Sequence, residues 1–311
     1  MARKMKKFLL KTALYLILIV AGFEGLYRAG YLAIVTDSTI FDRKMSWLQQ
    51  RPQIKPKFFV IGSSTALYGI RSPQMARSLP VAYYNFGAPL LNVASSLMIV
   101  RSLVRDYQPK YVMIASNIGD FCRRPDSTYL YYANACHLAK WQLPELFYFL
   151  DYHSIHQLVY RKIKVNWLDF DDWGGGLKKY DRSMIKKRVE DDPGAFLGQL
   201  TFDPQYQQMH YRALDSMCRW LRAQQVKLIF VQCPIRAANL ADPTLLAQVE
   251  RHFRVCDSIV GASGGIFLNH YKAVAGNDSL FFDAVHLWPP GGDIFTDSLV
   301  RDLATIAVKN E

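Results

Sequence analysis

Five short apolar runs, each parted from the next by a stretch with helical spacing, constrain this chain more than any other feature. They are Lys57–Ile61 (KFFVI), Val81–Phe86 (VAYYNF), Tyr111–Ala115 (YVMIA), Val226–Gln232 (VKLIFVQ) and Gly265–Asn269 (GIFLN). Such runs are too short for core helices and lack the in–out alternation of a half-solvated sheet, so they read as strands. Helices are predicted within 65–79, across 91–107, and near 206–224, 243–259 and 291–307. Strands alternating with helices pair in parallel. The expected fold class is therefore α/β: a three-layer α/β/α sandwich with a mainly parallel five-stranded sheet. Residues 121–205 break the rhythm. They are rich in Tyr, Trp and His, contain Gly174-Gly175-Gly176, and read as an insertion over the ligand-binding edge or as a packed structural appendage.

The N-terminus opens with a basic head, residues 1–7, holding Arg3, Lys4, Lys6 and Lys7. Phe8 to Phe23 is apolar apart from Lys11 and Thr12. Sixteen helical residues span about 24 Å, slightly short of a hydrocarbon core of about 30 Å. Lys11 can snorkel, and Leu26–Val35 offers further apolar length. Residues 8–35 are thus expected to be a transmembrane anchor with an interfacial segment. A cleaved signal peptide is the rival reading, although Ala21-Gly22-Phe23 makes a poor cleavage site. In either case the positive cluster stays inside, and the bulk of the chain lies outside the cytoplasmic membrane of a bacterium, in the periplasm or extracytoplasmic space. Residues 36–56 read as a polar, irregular linker leading to a domain over 57–311.

The net charge is +12, of which +8 lies beyond the basic head. That balance suits an anionic bilayer surface or an acidic envelope polymer. No zinc-finger spacing or aromatic RNA-binding signature accompanies it, so nucleic acid is not an expected partner. The five cysteines form no CxxC pair, which argues against a zinc or redox site. Cys122 and Cys136 share one irregular region, and both a disulfide and a pair of buried thiols are compatible with their spacing.

In open α/β sheets ligands bind beyond the carboxyl ends of the strands. Three segments fall there. In Phe59-Val60-Ile61-Gly62-Ser63-Ser64-Thr65, a serine where strand turns into helix exposes its hydroxyl, with backbone N–H groups nearby for an oxyanion. In Tyr84-Asn85-Phe86-Gly87-Ala88-Pro89, Gly87 lets the main chain approach a ligand. In Phe282-Asp283-Ala284-Val285-His286, the spacing of three lets one turn bring the carboxylate to the imidazole. That contact would fix the tautomer and leave the other nitrogen to take a serine proton.

Gly62-Ser63-Ser64 and Asp283-x-x-His286, followed by Leu287 and a Pro-Gly helix start, resemble the first and last motifs of the SGNH/GDSL hydrolases. Ser63 stands where the name-giving motif has aspartate. The resemblance implies Ser64 as nucleophile, His286 as general base and Asp283 as its orienter. It also implies an oxyanion hole from the Ser64 N–H, the Gly87 N–H and an asparagine after the third strand. Here the chain departs from the pattern. Asn117 lies in that segment, yet alignment on Asp120-Phe121 puts Gly119 in the asparagine's place. A lost donor costs about 2.7–4 kcal/mol of transition-state stabilisation. The anchor and the Gly-Ser-Ser form are similar to envelope SGNH proteins of the DltD type. That likeness implies acyl transfer on an acylated envelope glycan or polymer, beside a membrane-bound O-acyltransferase (MBOAT) partner, without cofactor or metal.

Other signals are weaker. Gly261-Ala262-Ser263-Gly264-Gly265 matches a G-x-S-x-G elbow, but it lies between a helix and a strand rather than after a strand, so it reads as a connecting loop. His153 and His156 lack further ligands and read as helix-face residues. Asn277-Asp278-Ser279 is too short a match to carry meaning.

Overall fold

A computed structural model describes residues 2–28, 39–124, 170–177, 202–274, 276–283 and 285–306. Most of the expected insertion, with Cys136, His153 and His156, lies outside the described residues. The sheet holds β1 (Phe58–Gly62), β2 (Tyr83–Asn85), β3 (Tyr111–Ser116), β4 (Lys227–Gln232) and β5 (Ile266–Asn269). They run in the order β2-β1-β3-β4-β5, and every neighbouring pair is parallel.

Alternation along the strands sends side chains into two cores. Phe58, Val60, Met113, Ala115, Ile229 and Val231 face α3 (Ser64–Gly69), α4 (Ser72–Ser78) and α8 (Pro289–Thr305). Phe59, Ile61, Val112, Ile114, Leu228 and Phe230 face α2 (Thr39–Gln49), α5 (Val93–Tyr107), α6 (Pro204–Ala223) and α7 (Pro243–Ala262). With both faces covered, the strands are apolar at nearly every position, which is what made them legible. The single helix expected within 65–79 is instead two, α3 and α4, with Pro73 in the first turn of the second. The Gly261–Gly265 segment holds the end of α7 and the loop that joins it to β5.

Residues 36–56 differ from the irregular linker expected of them. Thr39–Gln49 is the helix α2, and Phe41, Met45 and Leu48 are buried in the main core. Spacings of four and three put those residues on one face. Lys44 shares that face, and its charge hid the pattern.

At the N-terminus, Ala2–Arg28 forms helix α1, with Leu9, Leu10, Leu14 and the run Leu16–Ile19 exposed. Among the described residues no helix is long and apolar enough to cross a membrane.

Candidate active site

The last residue of β1, Gly62, has no room for a side chain: a Cβ would stand 2.0 Å from the Ala115 carbonyl oxygen of β3. The chain then turns through Ser63, which caps α3, and Ser64 opens that helix at the carboxyl edge of the sheet. More than two hundred residues later, Phe281 pairs with Leu287 in an antiparallel bridge, and the Phe282 N–H donates to the His286 carbonyl at 2.7 Å. Both bridge residues are buried, which fastens the turn between them to the core. α8 follows directly, started by Pro289 and Pro290. Its Thr296 hydroxyl accepts the Arg71 N–H at 2.9 Å, tying the last helix to the segment just after α3.

This scaffold brings together Ser64, His286 and Asp283. The Ser64 hydroxyl lies 2.7 Å from His286 Nε2, and His286 Nδ1 lies 2.8 Å from Asp283 Oδ2. Asp283 Oδ1 also accepts the backbone N–H groups of Val285 and His286, each at 2.9 Å, so the carboxylate shapes the turn that presents the imidazole. Burial alone would raise the Asp283 pKa. The His286 hydrogen bond and charge, with those two amides, outweigh it and hold the carboxyl below its ordinary value. The Tyr68 ring stands edge-on to His286, with centroids 6.2 Å apart.

The expected oxyanion donors fare differently. The Ser64 N–H is the first of α3, where helices leave amides without intrahelical acceptors. Asn117 sits just past β3 with its amide nitrogen 3.4 Å from Thr65 Oγ1, beside the nucleophile helix. Gly119, the alternative, lies so near the Asn117 side chain that a Cβ would stand 2.7 Å from its amide oxygen. The Gly87 N–H does not stand open as expected, since it donates to Asn85 Oδ1 at 2.8 Å. The reason is hydrogen-bond satisfaction. Asn85 is fully buried, its amide nitrogen donates to the Ala66 carbonyl and the Ser72 hydroxyl, and its oxygen takes the nearest N–H.

Sequence reasoning missed a polar network directly beneath Ser64. Asp120 Oδ2 accepts from the Ser63 hydroxyl at 3.0 Å, the Ser116 hydroxyl at 3.1 Å and the Asn117 N–H at 3.0 Å. Burial raises its pKa to about 6 even though those donors favour the anion. The clue was Ser63. With a carboxylate already arriving from β3, a second one at position 63 would face it across a dry site. Among the described residues no group of His, Cys, Asp and Glu is arranged to hold a metal ion. Cys122 is half-buried and donates to the Ile118 carbonyl.

No family model and no curated protein matches the sequence. Among solved structures, a GDSL-like lipase from Bacteroides thetaiotaomicron aligns at 14% identity and TM-score 0.46, over 86% of this chain and 99% of its own. Axe2, an acetylxylan esterase from Geobacillus stearothermophilus, aligns at 15% and 0.43, over 80% and 94%. LAE5, an alpha/beta hydrolase from the metagenome of Lake Arreo, aligns at 12% and 0.43, over 82% and 97%. These likenesses are too remote to carry a function, which must come from the site's own atoms.

Proposed function

We propose that this protein is a serine esterase or O-acyltransferase, tethered by its N-terminal segment to the outer face of a bacterial cytoplasmic membrane and acting on acyl groups of an envelope glycan or polymer. The observation that carries the chemistry is the relay from Ser64 Oγ through His286 to Asp283, at 2.7 and 2.8 Å. His286 Nε2 takes the hydroxyl proton as Ser64 Oγ adds to the substrate's ester carbonyl. The tetrahedral intermediate collapses by breaking the bond to the leaving oxygen, which accepts that proton from Nε2. Water or a sugar hydroxyl then adds to the acyl-serine, giving its proton to Nε2, and Ser64 leaves as it regains a proton. Asp283 stays ionised throughout and holds Nδ1–H, so that Nε2 is the basic nitrogen.

The tether rests on the basic head and the exposed aliphatic surface of α1, a combination suited to anionic lipid. A membrane-bound O-acyltransferase is the proposed partner, supplying the acyl group that Ser64 passes on. A fluorophosphonate probe tests the enzymatic reading. Labelling of the unaltered chain that disappears in Ser64→Ala supports it; labelling that persists there, or never occurs, refutes it.

The commitment of the Gly87 N–H to Asn85 favours a second reading, a non-catalytic binding partner of the acyltransferase or its polymer. That reading predicts that Ser64→Ala keeps function in the cell while changes in α1 abolish it.

A further inference from the structure

Lys44 has no solvent exposure, and its place in the molecule is out of keeping with a solvated surface lysine. It lies on the apolar face of α2 among Phe41, Met45 and Leu48. Its amine donates to two backbone carbonyls where β2 runs into its loop, that of Asn85 at 3.0 Å and that of Gly87 at 2.5 Å. The Phe170 ring lies beneath it, 5.7 Å from Nζ to centroid. Burial drives the Lys44 pKa well down, and the nearby Asp171 carboxylate draws it partly back. Burying a cation is expensive, and a leucine or methionine would fill this position without that cost. Two carbonyls turned inward at the same point explain what the amine is for.

Those carbonyls belong to the segment that buttresses the nucleophile helix. The Asn85 side chain donates to the Ala66 carbonyl of α3, the Ala88 N–H donates to the Gly62 carbonyl just before Ser63, and Gly87 packs on the backbone of Leu67. Residues 170–177 close the arrangement from the other side. Asp171 Oδ1 caps the N–H groups of Trp173 and Gly175, the Trp173 carbonyl accepts the Asn85 N–H at 2.8 Å, and the Gly176 N–H donates to the Leu67 carbonyl at 2.8 Å. Gly174, at φ +82°, passes so close that a Cβ would stand 2.1 Å from the Asn85 carbonyl oxygen.

We infer that Lys44 is a positioning residue for catalysis: through the Asn85 and Gly87 carbonyls it sets the loop that holds the helix carrying Ser64. This rests on Ser64 acting as the nucleophile. It also makes α2 part of the active-site scaffold rather than a spacer between membrane and domain. The test is Lys44→Met, which preserves length and apolar packing but removes both hydrogen bonds. Two quantities are read on the full chain: steady-state kinetics with p-nitrophenyl acetate, and amide hydrogen exchange of the segments 64–69 and 85–88. The expected result is a fall in kcat of about tenfold or more with KM changed less than about twofold, together with faster exchange in both segments. A structural role alone would lower the melting temperature and leave kcat per folded molecule unaltered. Unchanged kcat or unchanged exchange in a folded Lys44→Met overturns the inference. If that variant does not fold, the same readouts on Lys44→Gln, whose shorter amide reaches at most one carbonyl, decide: equality with the unaltered chain overturns it, and an intermediate loss supports it. An unaltered chain that neither turns over ester nor labels with fluorophosphonate refutes the nucleophile reading instead, and the exchange measurement still reports on Lys44.

Discussion

Asp283→Asn is the substitution whose consequence the geometry specifies most fully. Asp283 Oδ1 accepts two backbone N–H groups at 2.9 Å and lies 2.9 Å from His286 Nδ1, whose nearer partner is Oδ2 at 2.8 Å. An asparagine must place its oxygen at one position and its NH2 at the other. Putting the NH2 against two backbone donors leaves both unsatisfied, at about 1–3 kcal/mol each, so the oxygen stays with the backbone and the NH2 faces the imidazole. With that NH2 donating from the nearer position, Nδ1 becomes an acceptor, the proton moves to Nε2, and Nε2 points an N–H at Ser64 instead of a lone pair. The base is lost without any atom moving far. The expected fall in kcat is about 10³–10⁴-fold, or roughly 4–5.5 kcal/mol, with the turn and its caps intact. The assay is kcat/KM for p-nitrophenyl acetate on protein whose folding is checked by a cooperative thermal transition. A folded variant within about tenfold of the unaltered chain would show that His286 does not depend on Asp283, and the relay would lose its third member.

Two other substitutions test the site's surroundings. Asp120 has a pKa near 6 when folded against an ordinary 3.8, so the folded state binds more protons than the unfolded one across that interval. Its contribution to stability is therefore full below about pH 4 and is lost as the pH rises through about 6, a change of roughly 3 kcal/mol. Asp120→Asn should remove that slope, so that urea unfolding free energies of the two chains shift relative to one another in the variant's favour between about pH 4 and about pH 7; a difference constant with pH would contradict the assignment. Leu90 holds φ at +63° in the turn closed by the Leu91 N–H and the Ala88 carbonyl, with its side chain mostly exposed. Leu90→Gly relieves about 1–2 kcal/mol of backbone strain and returns about 0.4–1 as unfolded-chain entropy, so the urea midpoint should hold or rise; a loss above about 1 kcal/mol would mean the Leu90 side chain makes contacts that outweigh the strain.

The sheet was legible because strands covered on both faces need apolar residues throughout, as KFFVI and VKLIFVQ show. Asp283 and His286 were legible because their contact is local, three residues apart in a turn, and Ser64 because it follows a strand. α2 was hidden because the residue that matters most on its buried face is a lysine, and a charge breaks the apolar count. The engagement of the Gly87 N–H was not readable either. It depends on which way the Asn85 amide turns, and that choice is set by Ala66 and Ser72, nineteen and thirteen residues earlier in the chain. Asp120 was seen only as a point of alignment, since Ser63, fifty-seven residues earlier, meets it through the pairing of β1 with β3 rather than through sequence proximity. The docking of residues 170–177 against α3 left only the Gly174-Gly175-Gly176 run as a trace in the sequence.

The most direct measurement is to incubate the chain with p-nitrophenyl acetate, quench it in acid and weigh its peptides. The account predicts one acetyl group on the peptide containing Ser64, absent from Ser64→Ala and strongly diminished in His286→Ala. An acetyl group borne elsewhere, or product release from a chain whose Ser64 is never modified, would contradict it.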